Sequence, residues 1–356
     1  MRTRLAGSCF LAFVISSHAC AVAAQQTAAP PQQTPAAAPA PAMPRVRLVA
    51  TGGTISNRTG GRLTAEELVK SMPAVTRYAT PEFEQFANVA SSSMTLAQWL
   101  DLSRRINTLF RDDAQLAGVV VTSGTDTLEE LAYFLNLTVR DDRPVAVVGS
   151  MRNPSTLGYE GAANLLEGFR VAADPTSRKR GVLVVLNDEI NAAREVTKTD
   201  ALRLHTFQTR GYGILGVVDS DRIVYYRGVE RRHTAASEFD VFGITELPRV
   251  DVLMVYQGAP GDLINAAVDA GAKGVVLATA GAGATSGTQG DGLRYAASKN
   301  VPVVITTRAG SGRIAGAGGN QIAGQDLAPI KARILLMVAL ARTSDPAELR
   351  RIFREY

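Results

Sequence analysis

From residue 45 onward, the sequence alternates short, continuous apolar runs with stretches of helical hydrophobic spacing. A strand that is apolar at every position is buried on both faces, as in a parallel sheet with helices on both sides. The runs of the first half, which we predict to be strands, are 46–50, 118–121, 145–148 and 182–186. Helical stretches at 127–137 and 162–172 separate them. The alternation therefore predicts an α/β fold built on a parallel sheet.

Helix starts are marked by residues that satisfy the free N–H groups of a first helical turn. Thr64 stands three residues before Glu67, and Thr95 stands three residues before Gln98. In such a capping box, each side chain accepts a hydrogen bond from the other residue's backbone. We therefore predict helices after Thr64 and Thr95, and a last helix after Asp345 with proline in its first position.

The alternation is interrupted between residues 228 and 248, where the sequence is more polar. A second, smaller set of predicted strands follows at 252–256, 275–278 and 301–306. We predict a larger N-terminal parallel-sheet α/β domain, an interdomain linker and a smaller Rossmann-like C-terminal α/β domain. Their predicted ranges are 45–228, 229–248 and 249–356.

Residues 1–23 are typical of a secretory signal, with two arginines, a short apolar stretch and an Ala-Val-Ala cleavage site. The apolar stretch is too short to span a bilayer, and no later stretch is long enough. Segment 24–44 is rich in Ala, Pro and Gln and carries no charge, which predicts a disordered linker. We therefore expect a periplasmic or secreted protein without a membrane span.

Both cysteines, Cys9 and Cys20, lie in the predicted signal. Cys20 allows a lipoprotein interpretation, but Ser17-His18-Ala19 before it is a poor lipobox. We therefore expect no lipid anchor, and a mature chain with neither a disulfide nor a cysteine nucleophile.

The net charge of the whole sequence is +5, and removing the two arginines of the signal leaves about +3. The basic clusters 178–180 and 231–233 contain no aromatic residue on which a base could stack. We interpret them as solvated loops and expect no nucleic-acid partner.

The first predicted strand ends in Thr51-Gly52-Gly53-Thr54. Glycines at such a turn permit a close approach of other backbone and unusual φ angles. The Thr54 hydroxyl is a candidate nucleophile, but it would need a proton acceptor and an oxyanion site. Taken alone, this motif is equally compatible with an ordinary turn or a phosphate loop.

A second motif, Ser123-Gly124-Thr125-Asp126-Thr127, follows the strand at 118–121 and precedes a helix. Asp126 is compatible with a simple helix cap. In a functional interpretation, Thr125 holds a water, Asp126 binds a cationic group, and backbone N–H groups at the helix start stabilise an oxyanion. Both motifs lie where open α/β sheets bind ligands, at the carboxyl ends of strands.

Lys198 lies in a polar segment after the strand at 182–186. A lone lysine in such a segment is usually a surface residue. Beside Thr125 and Asp126 it would complete a Thr–Lys–Asp relay, because partial burial disfavours its charged form and lets it act as a base.

These motifs together resemble the bacterial L-asparaginase (asparaginase/glutaminase) family, of the secreted type II kind. The first loop matches the family's nucleophile signature, and the second matches its second-threonine signature, with Ser123 where histidine is usual. Further matches are the essential-lysine stretch 196–199, the substrate-side turn 149–152 and the substrate-carboxylate loop 91–94.

The resemblance implies that Thr54 attacks the side-chain amide of L-asparagine, and that Thr125, Asp126 and Lys198 serve as the catalytic relay. The division of labour between Thr54 and Thr125 stays open. L-Glutamine is a second candidate substrate, because one methylene is a weak discriminator. The resemblance further implies a homotetramer and no metal or other cofactor. It assigns substrate binding to Gly53, Ser91, Ser92, Gly124, Thr125, Asp126 and Ser150.

Besides Ser123, the chain departs from the family pattern in four places. The segment 56–64 lacks the family's loop tyrosine, for which Tyr159 is a candidate replacement. Segment 309–313 does not supply the acidic residue that many members place at the α-ammonium from a neighbouring subunit, and segment 257–261 does not clearly supply the usual asparagine. Ser92 replaces the common glutamine or glutamate of the carboxylate loop.

Two other functions are compatible with parts of the sequence. The missing tyrosine would suit a catalytically weak or inactive periplasmic amino-acid-binding paralogue. The glycine-rich segment 281–287 loosely resembles a phosphate loop, but it lacks the dinucleotide-binding spacing, and a flexible loop explains it better.

Overall fold

The computed structural model describes residues 42–356, so the predicted signal and most of the predicted disordered linker lie outside the described residues. The first part of the chain folds around a sheet of eight strands flanked by helices. Its strands and helices, in chain order, are β1 (Arg45–Gly52), β2 (Asn57–Arg58), β3 (Gly61–Arg62), α1 (Ala65–Lys70), β4 (Thr80–Val89), α2 (Leu96–Asp112), β5 (Leu116–Thr122), α3 (Leu128–Thr138), β6 (Val145–Val148), α4 (Gly161–Ala173), β7 (Val182–Leu186), β8 (Glu189–Ala192), β9 (Thr197–Lys198), β10 (Phe207–Gln208), β11 (Gly216–Val218) and β12 (Ile223–Tyr225).

The sheet has the strand order β12-β11-β8-β7-β6-β5-β1-β4. The five strands from β4 to β7 in this order run parallel, which confirms the parallel sheet predicted from the apolar runs. Strands β8, β11 and β12 extend it in antiparallel orientation, which the sequence analysis did not predict. Asn187 and Asp188, with φ of 53° and 64°, form the tight turn between β7 and β8. Left-handed residues at both turn positions match the twist of a two-residue hairpin.

The predicted capping boxes are present. Thr64 and Glu67 cap the start of α1, and Thr95 and Gln98 cap the start of α2, each with both reciprocal hydrogen bonds. The apolar residues of α2 pack into the main hydrophobic cluster under the sheet.

The second part of the chain forms a separate parallel sheet in the order β13-β14-β15-β16. Its elements are β13 (Val250–Met254), α5 (Asp262–Asp269), β14 (Gly274–Thr279), α6 (Gln289–Ser298), β15 (Val303–Thr307), β16 (Gln321–Ala323), α7 (Pro329–Leu340) and α8 (Pro346–Glu355). The first three strands were predicted to within two residues, and α8 begins at the predicted proline, capped by Asp345. Strand β16 has only three residues and was not predicted.

Helix α7 is buried along almost its whole length and packs against β13, β14, β15 and α3. A single hydrophobic cluster therefore contains Val121 of the first sheet, Val276 of the second sheet and Leu335 of α7. The segment 229–248, predicted as a linker, also contributes buried residues to this cluster, namely Phe239 and Val241. Among the helices of residues 42–356, none combines the length and apolar character that crossing a bilayer requires.

A buried carboxyl group, that of Glu167, lies under the β7–β8 turn, which carries the exposed Asp188. Glu167 of α4 is buried and accepts a hydrogen bond from the backbone N–H of Asp188 at 3.2 Å. Burial, reinforced by the Asp188 carboxyl, raises the pKa of Glu167 to about 8, and Arg170 opposes this shift. Near neutral pH this side chain is therefore protonated in the folded protein.

The titration of Glu167 makes stability depend on pH. Its folded-state pKa lies above the unfolded value, so its contribution is complete at acid pH and is lost as the pH rises toward about 8. Glu167→Gln keeps the shape and removes the titration. We expect the variant to gain unfolding free energy relative to the wild type between about pH 5 and about pH 8, by up to about 1.4 kcal/mol per unit of pKa shift. Urea unfolding across that range checks this, with exposed Glu66→Gln as the control. A difference that does not change with pH would contradict it.

Candidate active site

The two motif loops are neighbours because β1 and β5 are adjacent parallel strands, with Val49 paired to Val121. Beyond this pair, Thr51 and Thr122 fasten the strand ends together. The Thr51 N–H donates to Thr122 Oγ1 at 3.1 Å, and Thr51 Oγ1 donates to the Thr122 carbonyl at 2.5 Å. Both threonines are buried. The loops that follow therefore start from fixed positions at the same edge of the sheet.

Glycine is required where these loops touch. Gly53 has φ of 92°, and a Cβ atom there would lie 2.3 Å from the backbone nitrogen of Gly124. A Cβ on Gly124 would in turn lie 2.7 Å from Ser91 Oγ. Since real side-chain carbons do not approach so closely, a larger residue at Gly53 would force a backbone shift, and one at Gly124 would require the Ser91 side chain to move. The contact brings the backbone segments that carry Thr54, Thr125 and Ser91 together.

Lys198 lies beside Thr125 and Asp126, as the relay interpretation requires. Its Nζ atom donates to Thr125 Oγ1 and to Asp126 Oδ1, each at 3.1 Å. The Lys198 side chain is 18% exposed, whereas that of Asp126 is 72% exposed. The two-residue strands β9 and β10 pair Lys198 with Phe207 and hold its backbone. An amine is thus fixed between a buried hydroxyl and a carboxylate that remains accessible to a ligand.

The helix-cap interpretation of Asp126 does not describe the structure. The residue preceding α3 is Thr127, and no side chain caps this helix. The carboxylate of Asp126 is instead engaged by Lys198.

Thr54 begins a short 3₁₀ turn, Thr54–Ser56, and is partly exposed. Within residues 42–356, no hydrogen bond engages its hydroxyl. The Tyr159 hydroxyl donates to the carbonyl of Ile55, the next residue, at 2.8 Å. Tyr159 therefore lies against the turn that carries Thr54, the region for which the sequence made it a candidate.

The segment after this turn is a short closed hairpin, formed by β2 and β3. At its base the Leu63 N–H donates to the Ser56 carbonyl at 2.6 Å. At its tip the Thr59 N–H donates to Ser155 Oγ at 2.9 Å. The hairpin is thus held at both ends.

The predicted substrate-side serines differ in their surroundings. Ser91 is buried, and its Oγ atom has no hydrogen-bond partner among the described residues. Ser92 is exposed beside it. Ser150 is buried and donates to the Arg152 carbonyl at 2.6 Å, so its hydroxyl is engaged within its own turn. Of the three, Ser91 offers a free hydroxyl next to Gly124.

Glu129 contacts the Lys198 segment, a role that the sequence did not predict. One of its carboxylate oxygens, Oε1, accepts from Thr197 Oγ1 at 3.1 Å and from the Lys198 N–H at 3.0 Å. Glu129 and Lys198 are 69 residues apart in sequence, so no local motif links them. A glutamate in the first turn of a helix indicates only favourable electrostatics with the helix dipole.

A cavity of about 840 Å³ adjoins Lys198 on the side of the second sheet. Thr197 and Lys198 line it from the separate two-stranded β9–β10 ladder, and Met254 and Thr307 line it from the sheet of the second part of the chain. Neither Thr54 nor Thr125 is among its lining residues. The cavity is therefore a neighbour of the cluster of loops rather than its centre.

Comparison with known proteins gives consistent matches over both parts of the chain. The family profile described as "Asparaginase, N-terminal" matches residues 45–231. The profile described as "Glutaminase/Asparaginase C-terminal domain" matches residues 249–353.

Curated relatives match over nearly the whole chain. L-asparaginase 2 of Bacillus subtilis is 40% identical over 88% of this chain and 87% of its own length. A probable periplasmic L-asparaginase of Haemophilus influenzae is 36% identical, covering 88% and 93%. A glutaminase-asparaginase of Pseudomonas fluorescens is 35% identical, covering 87% and 90%. Among solved structures, a probable cytoplasmic L-asparaginase from Campylobacter jejuni superposes with a TM-score of 0.84 at 37% identity, over 88% of this chain and 99% of that one.

Proposed function

Because the chain belongs to the asparaginase family and is a hydrolase of amide bonds, we propose that it converts L-asparagine to L-aspartate and ammonia with Thr54 as nucleophile. The observation that carries the proposal is the position of Lys198 Nζ, which lies 3.1 Å from both Thr125 Oγ1 and Asp126 Oδ1. These two residues are on the loop that touches Gly53, the neighbour of Thr54. A hydroxyl nucleophile needs a nearby proton acceptor, and this amine is the candidate for it.

The proposed reaction has two steps. In the first, Thr54 Oγ1 bonds to the side-chain amide carbon, the C–N bond breaks, and the nucleophile's proton is passed to the leaving nitrogen, which departs as ammonia. In the second, water held by Thr125 attacks the acyl-enzyme while Lys198 takes its proton. The ester bond to Thr54 breaks, L-aspartate leaves, and the proton passes to Thr54 Oγ1 to restore the hydroxyl. Backbone N–H groups at the start of α3 would stabilise the oxyanion of each tetrahedral intermediate.

The ends of the substrate also have candidate partners. The exposed carboxylate of Asp126 suits the α-ammonium group. The unpartnered hydroxyl of Ser91, beside Gly124, suits the α-carboxylate, since a buried polar atom gains from a partner. Gly53 and Gly124 would contribute backbone, and Ser92 and Ser150 remain candidates at the edge of this site.

Glutamine is proposed as a second substrate because a relative is named glutaminase-asparaginase. Ammonia release from L-asparagine and L-glutamine by the purified protein, measured side by side, tests the proposal and gives the preference. Tight binding of either amino acid without ammonia release would overturn it and favour the binding-protein alternative. That alternative is not favoured, since the hydroxyls, amine and carboxylate of the relay are all present.

Tyr159 is proposed to steady the turn that carries Thr54, in place of the missing loop tyrosine. Tyr159→Phe removes only the hydroxyl that binds the Ile55 carbonyl. We expect kcat to fall about 10-fold, because a displaced nucleophile attacks less often in the productive geometry. The matched control is Tyr225→Phe, which removes a hydroxyl that lies 2.7 Å from Ser177 Oγ on the far edge of the sheet. Equal kcat values for the two variants would rule out this role.

Export and assembly complete the proposal. A signal at 1–23 would deliver the protein to the periplasm or outside the cell. The names of relatives differ on this point, since one is named periplasmic and a structural relative is named cytoplasmic. N-terminal sequencing of the protein recovered from cell fractions tests export. A homotetramer is proposed from the family resemblance, and light scattering measures it.

A further inference from the structure

Lys331 is a buried cation on the second part of the chain that contacts the backbone leading to Lys198. It lies on α7, is 1% exposed, and donates to the Ala193 carbonyl at 2.8 Å and to the Val196 carbonyl. Isolated buried ammonium groups are costly, so such a group is expected to be paired and fully hydrogen-bonded. The carbonyl oxygens of the 193–196 segment supply part of that requirement.

Glu129 supplies the remaining charge. It lies on α3 and is 5% exposed, and its Oε2 atom is 3.9 Å from Lys331 Nζ. Its Oε1 atom accepts from Thr197 Oγ1 and from the Lys198 N–H. Thus four groups of the segment 193–198, namely two carbonyls, one hydroxyl and one N–H, are held by two buried, oppositely charged side chains on α3 and α7.

Three charged side chains act on the ammonium group of Lys331. Burial lowers the pKa of Lys331 to about 8, and the facing charges are Glu129, which raises it, Arg194, which lowers it, and Glu195, which raises it. Arg194 is itself paired with Asp326, and Glu195 with Arg227. Glu129 is therefore the acidic group left to compensate the charge of Lys331.

We propose that Glu129 and Lys331 are positioning residues that fix the backbone of Lys198, so that its Nζ atom stays between Thr125 and Asp126; this rests on the proposed function. The need for such a device follows from the local structure. Strands β9 and β10 have two residues each, and the lysine side chain is long and flexible. A small shift of the Lys198 backbone would move the amine out of reach of Thr125. The second part of the chain, through α7, thereby sets the geometry of a group in the first.

Lys331→Met and Glu129→Gln test the proposal, alone and combined. Each single variant leaves one buried charge without its partner, and we expect kcat to fall about 10- to 100-fold with KM within about twofold of the wild type. The double variant removes both charges and keeps the Oε1 acceptor, so its kcat is expected to recover to within about 10-fold of the wild type.

Arg333→Met is the matched control. Arg333 is also on α7, lies 3.6 Å from Glu130 of α3 and donates to the Val250 carbonyl at 3.0 Å, without touching the Lys198 segment. We expect it to lower the melting temperature with kcat unchanged. A structural role for Lys331 predicts the same behaviour for both variants, so equal kcat values for Lys331→Met and Arg333→Met would overturn the proposal.

Hydrogen exchange measures positioning independently of turnover. We expect the backbone amides of 196–199 to exchange faster in Lys331→Met and Glu129→Gln than in the wild type or Arg333→Met. Should one single variant fail to fold, the other gives the same comparison. A wild type that releases no ammonia would refute the proposed function, whereas unchanged exchange in both variants would refute the positioning role alone.

Discussion

Replacing Thr54 by alanine is expected to lower ammonia release from L-asparagine by about 10⁴-fold or more, because the proposed acyl-enzyme cannot form without the Thr54 hydroxyl oxygen. The turn around Thr54 should keep its structure. Its backbone is fixed by the Gly53 N–H, which donates to the Val89 carbonyl at 2.9 Å, and by Tyr159 at Ile55. We therefore expect an unchanged melting temperature and a substrate dissociation constant close to the wild-type KM. Steady-state ammonia release and calorimetric binding of L-asparagine measure the two effects separately.

Two controls accompany this variant. Thr54→Ser keeps the hydroxyl and should retain much of the activity, since serine and threonine serve as nucleophiles by the same route. Thr59→Ala removes a threonine side chain from the exposed tip of the hairpin and should be silent. Substantial turnover by Thr54→Ala would reject Thr54 as nucleophile, and Thr125 would then be the next candidate.

Replacing Lys198 by methionine is expected to reduce kcat by about 10³-fold with a smaller effect on KM, the size expected for loss of a positioned base. Methionine has a similar length and is compatible with the partly buried position, so the packing of the β9–β10 hairpin should persist. The loss of the amine removes the hydrogen bonds that Lys198 Nζ donates to Thr125 Oγ1 and to Asp126 Oδ1. Steady-state kinetics with L-asparagine over a range of pH measures this change.

The same substitution at Lys70 is the matched control, because Lys70 is an exposed lysine on α1 that pairs with Glu66. It should leave both constants unchanged. If Lys198→Met kept more than about a tenth of the wild-type kcat, a base contribution of the usual size would be excluded, and water or another group would have to accept the proton.

In the first sheet, the sequence predicted the strands that are largely buried. Strands β5, β6 and β7 are apolar at nearly every position, and β1 is apolar over 48–50, because helices cover both faces of the sheet. Strand β4 is at the edge of the sheet, and its residues are half-buried or exposed, so its sequence, TPEFEQFANV, has no continuous apolar run. The antiparallel strands β8, β11 and β12 are short, and the turn at Asn187 and Asp188 accounts for the pairing of β8 with β7.

The candidate site was predictable to the extent that its residues stand in local motifs. Thr54 and Thr125 follow strands. The sequence placed Lys198 beside Thr125 and Asp126 only through the family resemblance, and in the structure the three side chains are in contact. The roles of these residues stay predictions. Glu129 and Lys331 were not predicted, because their meaning comes from contacts between helices far apart in sequence.

Helix α7 is buried between the two parts of the chain, and this limits how one part can be exchanged or removed. Since Val121, Val276 and Leu335 belong to one hydrophobic cluster, neither half has a complete core without the other. The two halves should melt in a single calorimetric transition, and neither should be soluble when expressed alone. Chimaeras that join the front half of one relative to the back half of another would have to preserve the contact between α3 and α7.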